Sequence, residues 1–503
     1  MNDLTPRAPE RPLIWPDFIL DLCDWLRETP VEVVLVGGAV RDALLHRPLK
    51  DVDLATAGDG IRLARHIANH FDGDFFVLDA ERDVGRALVA TPEGRLTLDV
   101  SRFRGGGLGD DLADRDFTVN AMAVDARGDL SRLIDPLNGE TDAAHKRLRR
   151  CREGAVINDP IRVLRAVRQS VQLGFRLEPE TLAEIKTAVP LLVAASPERV
   201  RDEVFKLLAL SRPVRALRIA DHIGVLAVVL PEVRALQGMP QSHPHVFDGW
   251  QHTLLVVDNL TNILTVLDYG RSDNLTASFS LGTMAAHLDH FRPQLRAHIA
   301  HDWPNERPHR ALLLLAALLH DVGKPATAQL DETDRWRFFS HEILGAELAE
   351  ARTVALRLSN DERERLVAIV RNHMRPLLLD ELTPRAIHRF WRALGAAGID
   401  VCLLSLADYL GARGPELDQD EWLKMVDRVR ILLQAYFEQH DQLVAPPALV
   451  DGHVLLQTFA LKPGPIIGQL LEHIREGQVA GEINTTEDAL QAAGTYLNQN
   501  GKG

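Results

Sequence analysis

Between Leu35 and Thr56 the chain reads LVGGAVRDALLHRPLKDVDLAT, an apolar run closing on two glycines, a short helical stretch, and a second apolar run that opens with two aspartates one residue apart. Alternate side chains on a strand share a face, so Asp51 and Asp53 project together toward the turn at Gly37 and Gly38. Paired carboxylates suit Mg²⁺, a hard cation that takes oxygen ligands, and two such ions can drive phosphoryl or nucleotidyl transfer by in-line displacement. A dinucleotide-binding fold begins with the same sequence of elements. Here, however, Gly37 and Gly38 lead into Ala39, Val40, Arg41 and Asp42 with no third helix-packing glycine, and the acid arrives sooner than the ~20 residues that fingerprint expects.

Beyond this segment the periodicity changes once. Short β-like runs dominate the first third (VEVVLVG, DVDLAT, DFFVLD, GRALVAT, RLTLDVSRF), with one helical stretch, IRLARHIANHF, between the second and third. From about Asp159 the spacing is helical throughout, as in PIRVLRAVRQSVQLGF and SPERVRDEVFKLLAL, the latter with Ser196 as cap and Pro197 at the first helical position. A chain of 503 residues is too long for one core. The expected organisation is α+β: a mixed-sheet head over 1–145, a helical neck over 146–237, a histidine-rich helical unit over 238–445 and a helical tail over 446–503. GMPQSHPHVFDG, from Gly238 to Gly249, reads as a linker, and Pro446 and Pro447 as a further boundary.

The head resembles the DNA polymerase β nucleotidyltransferase superfamily, and more narrowly the bacterial tRNA nucleotidyltransferase (CCA-adding enzyme) and poly(A) polymerase family, whose GGxVRD and DxD motifs both stand intact. DDLADRDFTVNAMAVD, Asp110 to Asp125, is similar to the family's DLxRRDFTxNAxA, with Asp114 where the family has an arginine. The resemblance implies a polymerase β-like head in which Asp51 and Asp53, joined by Asp99 of RLTLDVSRFR, hold Mg²⁺. Gly37, Gly38 and Arg41 would cradle the triphosphate, and Arg115, Asp116 and Asn120 would handle sugar and phosphates. NDPIR stands for the family's EDxxR, so Asp159 and Arg162, with Arg165 near them, are the expected base-reading residues. An Asp acceptor and an Arg donor fork can mimic a base edge, although on residues alone an i, i+3 ion pair on an exposed helix fits equally. Asp135 and Gly139, in DPLNG, read as a structural turn.

The implied reaction is template-independent addition of C, A or both, from CTP and ATP, to tRNA or other RNA 3′ ends. Poly(A) addition is a rival within the class. C-only addition is another, because only GGGLG separates SRFR from DDLADRDFT, and in the family a shortened loop here accompanies enzymes that omit the final A.

Downstream, WQHTLLVVDNL, LLLLAALLHDVGKP, FFSHEILGAELA, VRNHMRP and LADYLG supply His252, His320 with Asp321, His341, His373 and Asp408. Their order resembles the HD-superfamily metal phosphohydrolases, which implies a divalent-metal centre of unstated metal on these six residues, with Lys324 as a phosphate contact. Two readings remain beside that one: an HD domain retained only as scaffold, and an HD phosphohydrolase whose head merely binds RNA.

A net charge of −14 argues against a nucleic-acid binder by itself. Local distribution reverses the argument, since Lys146, Arg147, Arg149, Arg150, Arg152, Arg162, Arg165 and Arg168 crowd the junction after the head, reading as a groove for triphosphate and RNA. Cys23, Cys151 and Cys402 form no CxxC pair, which suits a reduced compartment. The start lacks an apolar signal core, and the longest apolar run, Ala311 to Leu319, is too short to span a bilayer. A cytoplasmic enzyme without a membrane partner is expected; the oligomeric state is left open.

Overall fold

The computed structural model describes residues 3–49, 51–92, 94–269, 278–379 and 381–500. The chain divides into two compact units, one of Met1–Ser196 with Ile219–Val228 and one of Pro197–Arg218 with Val229–Gly503.

The first unit is α+β, as expected. Its described elements begin with α1 (Asp17–Leu26), β1 (Val33–Val36), α2 (Gly38–Leu44), β2 (Asp51–Thr56), α3 (Gly60–His70), β3 (Asp74–Asp79), β4 (Val84–Thr91), β5 (Gly94–Arg102), α4 (Leu108–Ala113) and β6 (Ala123–Asp125). The strands form one sheet in the order β3-β4-β5-β2-β1-β6. It is mixed because β2 runs parallel to β5 while its other pairings are antiparallel. β6 went unread in the sequence: it is three residues long and sits at the sheet edge beside β1.

Period-two alternation divides the labour of the sheet. Val52, Leu54, Leu98 and Val100 are buried toward the side covered by α3, whose own Leu63, Ala64 and Ile67 are buried. Asp59 caps α3 by accepting from Arg62 N at 2.7 Å. The opposite face carries the acidic residues, footed on an apolar cluster of Val34, Val36, Ala55, Phe103, Leu108 and Leu112.

The second unit is predominantly helical. The apolar run of the sequence lies within the helix His309–Leu319, whose residues 311–319 are all buried, making it the core of a bundle with Gly249–Tyr269, His341–Ala355, Asn360–Asn372 and Ala397–Arg413. Among the described residues no single helix is long and apolar enough to cross a membrane. A buried Arg307–Glu362 fork (2.7 and 2.6 Å) ties the segment before this core helix to the start of Asn360–Asn372. There Glu362 also closes a capping box with Ser359. At the end of the chain, Pro465 opens the helix Pro465–Val479, and Leu455, Leu470, Ile474, Ile483 and Ala489 form a local cluster.

Candidate functional site

Strand register assembles the head cluster. Asp53 pairs directly with Asp99 across the parallel β2–β5 ladder and Asp51 lies two residues earlier on β2, so the three carboxylates share one face of the sheet. Val36 lies opposite Asp53 on β1, which brings the turn at Gly37 over that aspartate. Gly37 adopts φ +74°, and a Cβ there would come within 2.7 Å of Asp53 Oδ2 and 2.8 Å of Arg115 Nη1. Only glycine meets both demands. Burial pushes the Asp53 carboxyl up; Arg115 pulls it down, and Asp99 and Asp51 push it up again. A second cationic partner at this face would relieve that repulsion, so the donors suit a divalent cation. Asp99 differs from the other two, because Arg86 holds both of its oxygens at 2.8 and 2.9 Å.

Behind the glycine turn lies a buried polar network. Arg41 Nη1 donates to Asn120 Oδ1 at 2.5 Å, and Asn120 Nδ2 donates to Asp116 Oδ1 and Gln169 Oε1, both at 2.9 Å. Arg165 Nε and Gln169 Nε2 donate to Asp116 Oδ2 at 2.8 and 3.2 Å. Burial alone would raise the Asp116 carboxyl, but Arg165 with the Asn120 and Phe117 donors holds it well below the usual carboxylate range. Arg115 is oriented by Asp111, at 3.0 and 3.2 Å.

Arg162 is buried, donating to the carbonyls of Arg115 (3.0 Å), Asp114 (2.6 Å) and Ala155 (3.3 Å), while its Nε lies 3.8 Å from Asp159. Other members of the basic run are drawn into the unit itself. Arg149 binds Asp142, Arg150 binds Glu184, and Arg152 binds Asp114, the residue standing in the family's arginine position.

The histidine cluster is built from helix ends. His320 and His373 sit at the C-caps of His309–Leu319 and Asn360–Asn372, and His341 opens the next long helix. Each Nδ1 lies 2.7 Å from the carbonyl three residues earlier, of Ala317, Val370 and Phe338. A carbonyl can only accept, so each Nδ1 carries the proton and each Nε2 is left to face inward. There His252 Nε2 lies 3.1 Å from Asp408 Oδ1 and 3.4 Å from Asp321 Oδ2, and His320 and His341 Nε2 approach Asp321 at 3.2 and 3.4 Å.

Lys324 Nζ is 2.6 Å from Asp321 Oδ2, yet that oxygen, His320 Nε2 and both ring nitrogens of His252 are buried without a well-aligned hydrogen-bond partner. Buried orphans of this kind are costly. A cation shared among converging imidazole and carboxylate donors satisfies them, so the residues fit a divalent metal. Burial opposes charge on His252, but Asp321 and Asp408 raise it to about 9. Burial and His320 push His373 down to about 3.

Comparison with known proteins matches the segments in which most of both clusters lie. Residues 33–149 match a family model described as the poly A polymerase head domain, and 283–413 match the HD domain. The chain is 33% identical over 92% of its length to an A-adding tRNA nucleotidyltransferase of Deinococcus radiodurans, covering 94% of that protein. It is 32% identical over 92% of its length to a CC-adding tRNA nucleotidyltransferase of Thermus thermophilus, covering 93% of it. The chain belongs to the tRNA nucleotidyltransferase family.

A solved CCA-adding enzyme shares the fold at TM-score 0.59 and 18% identity, over 97% of this chain and 95% of that one. A Thermotoga maritima CCA-adding enzyme complexed with tRNA does so at 0.53 and 19%, over 98% and 99%.

Within this member of the family, several site residues escaped the sequence reading. Gln169 lies four residues beyond Arg165 on one helix and joins it at Asp116, an i, i+4 relation visible in the sequence. Arg86 is found only through the β4–β5 register, and Asp111, inside the motif, is marked only by its i, i+4 relation to Arg115. Gln241 and His245 lie in the segment read as a linker, and both reach Lys324.

Proposed function

We propose that this chain adds C, A or both, from CTP and ATP, to the 3′ ends of tRNA without a template, and that its histidine cluster is a second, phosphohydrolase-type metal centre. The observation that carries the first part is the register-matched set of Asp51, Asp53 and Asp99 beneath Gly37 and Arg115. Mg²⁺ held by Asp51 and Asp53 would supply the Lewis acidity that activates an RNA 3′-hydroxyl and neutralises leaving pyrophosphate. Asp99 would serve as the third carboxylate once its fork with Arg86 opens. In this reading Gly37 and Gly38 let the triphosphate approach the backbone at the start of α2, and Arg41 and Arg115 contribute charge beside it. Asp116, Asn120 and Arg165 hold Arg41 in place. Arg162, anchored on carbonyls of the Asp114–Arg115 segment, fixes that segment and leaves the more exposed Asp159 to meet a base edge. The cytoplasm, where tRNA ends are processed, belongs to the same reading.

A shorter product is favoured by one observation. The connection from β5 to α4 is closed: Gly106 N donates to Asp110 Oδ2 at 2.7 Å, and a Cβ on Gly105, at φ +65°, would sit 2.7 Å from Asp110. In the family the head resembles, a shortened connection here accompanies addition of C residues alone, and a closed turn is consistent with that form. Incubation of tRNA lacking its CCA end with Mg²⁺ and labelled CTP, labelled ATP or both separates the products. Labelled ends in any lane support the proposal; CTP incorporation without ATP incorporation selects the C-only form; no incorporation in any lane contradicts the proposal.

In the histidine centre, His252, His320, Asp321 and Asp408 would hold one ion and His341 with His373 a second, activating water toward a phosphate ester, with Lys324 placed to bind the phosphate.

A further inference from the structure

The segment Gly238–Gly249 behaves as a strap anchored over the histidine centre. Gly249 N donates to Met239 O at 3.0 Å, closing it on itself, and Val246 N donates to Ala412 O at 3.1 Å, fixing it to the helix that carries Asp408. A short hairpin holds its other edge: Trp336 N donates to Ser242 Oγ at 2.8 Å and Arg335 Nη2 to His243 O at 2.9 Å.

These four main-chain and side-chain bonds thus hold the strap that carries the half-buried His245. Its ring lies 4.8 Å from that of His252, edge to face, and its ligating atom falls with those of His252 and Asp408 inside a mutual span of 4.8 Å. Donors at ~2.1 Å from one ion stand at most ~4.2 Å apart, so the three atoms would draw together by no more than about 0.6 Å to share it in the widest arrangement.

Lys324 fixes which form of His245 is present. The ammonium has three donors and no acceptor. It directs donors at Gln241 Oε1 (2.8 Å) and, more distantly, His245 Nε2 (3.4 Å), while its charge lies 2.6 Å from Asp321 Oδ2. An ammonium can be met at Nε2 only by a lone pair, so Nε2 is unprotonated. His245 therefore offers an acceptor where phosphate would require a donor, and a cation is the partner that an unprotonated imidazole nitrogen suits. The opposite end of the cluster has its own triad in Asp321, His341 and His373.

The geometry points to His245 as a metal ligand supplied by the strap, completing with His252 and Asp408 the set around one of two divalent ions in the histidine centre. This inference rests on the reading of that centre as a metal site.

Co²⁺ titration of the full chain tests it, in an Asp53→Ala background that removes the head site and with absorption and equilibrium dialysis as readouts. His245→Ala is expected to weaken one Co²⁺ at least tenfold and to change its d–d spectrum. His245→Cys is expected to retain that ion and to gain a thiolate-to-Co²⁺ charge-transfer band, which a merely structural residue would not produce; the three native cysteines provide the blank. Unchanged binding and spectrum in His245→Ala, or a His245→Cys protein without the band, overturns the assignment while leaving the centre itself standing. If Asp321→Ala titrates like its parent, the centre holds no metal and both readings fall.

Discussion

The acidic face of the head and the histidine centre gather metal-type donors by opposite routes. In the head, two aspartates one residue apart meet a third through the register of two neighbouring strands, and arginines stand around them: Arg115 beside Asp53 and Arg86 on Asp99. In the helical unit the donors run from His252 to Asp408, arrive from separate helices, and include three imidazoles whose orientation is set by a bond to the carbonyl three residues earlier. The first site is exact in sequence but lightly enclosed; the second is scattered in sequence and fully buried. Carboxylates on a strand face need a close neighbour to aim them, whereas imidazoles at helix ends bring their own alignment.

That contrast can be broken at its strongest point by Gly37→Ala. A Cβ at φ +74° would collide with Asp53 and Arg115, so the rate of nucleotide addition should fall at least a hundredfold, about 2.7 kcal/mol in barrier, with unchanged Co²⁺ uptake by the histidine centre. Near-normal rates would show that the glycine turn does not aim the carboxylate. The mirror experiment is Asp321→Asn, which removes the carboxylate shared by His252, His320 and His341. Metal affinity of the helical unit should drop at least tenfold by dialysis while end addition stays within about twofold.

A smaller effect is expected from Asp116→Asn. Because the folded carboxyl lies well below its unfolded value near 3.9, its contribution to stability is complete above that pH, declines below it and is lost only as pH falls through the depressed folded value. Urea unfolding at pH 7 should show a loss of about 1–3 kcal/mol that begins to shrink once the pH drops below the unfolded value. A loss of the same size at pH 7 and pH 3 would locate the effect in packing instead. Least of all should change with Arg389→Ala, which breaks an exposed pair with Glu476 on the helical unit; less than about 1 kcal/mol is expected in the same unfolding assay.

Much of this was legible beforehand, and the gaps have physical causes. The α+β character of the first unit followed from alternating apolar runs, and the strands that carry Asp51, Asp53 and Asp99 formed where that alternation predicted. β6 was hidden because three residues at an edge carry too little pattern. The Arg86–Asp99 fork depends on cross-strand register, which no local spacing encodes. His245 was obscured by its company, since prolines and glycines on either side read as punctuation although the same residues shape a strap that carries a side chain inward. The arginine run after the head was visible as charge, but its internal partners, Asp142, Glu184 and Asp114, were not.

The account depends on the head acids performing nucleotidyl transfer independently of the histidine centre. Initial rates of labelled CTP and ATP incorporation into tRNA lacking its CCA end, measured side by side for the unaltered chain, Asp53→Ala and Asp321→Ala, test this most directly. The account predicts a loss of at least ~10³ in rate for Asp53→Ala, some 4 kcal/mol, and near-normal rates for Asp321→Ala. Incorporation that survives in Asp53→Ala, or vanishes in Asp321→Ala, would contradict it.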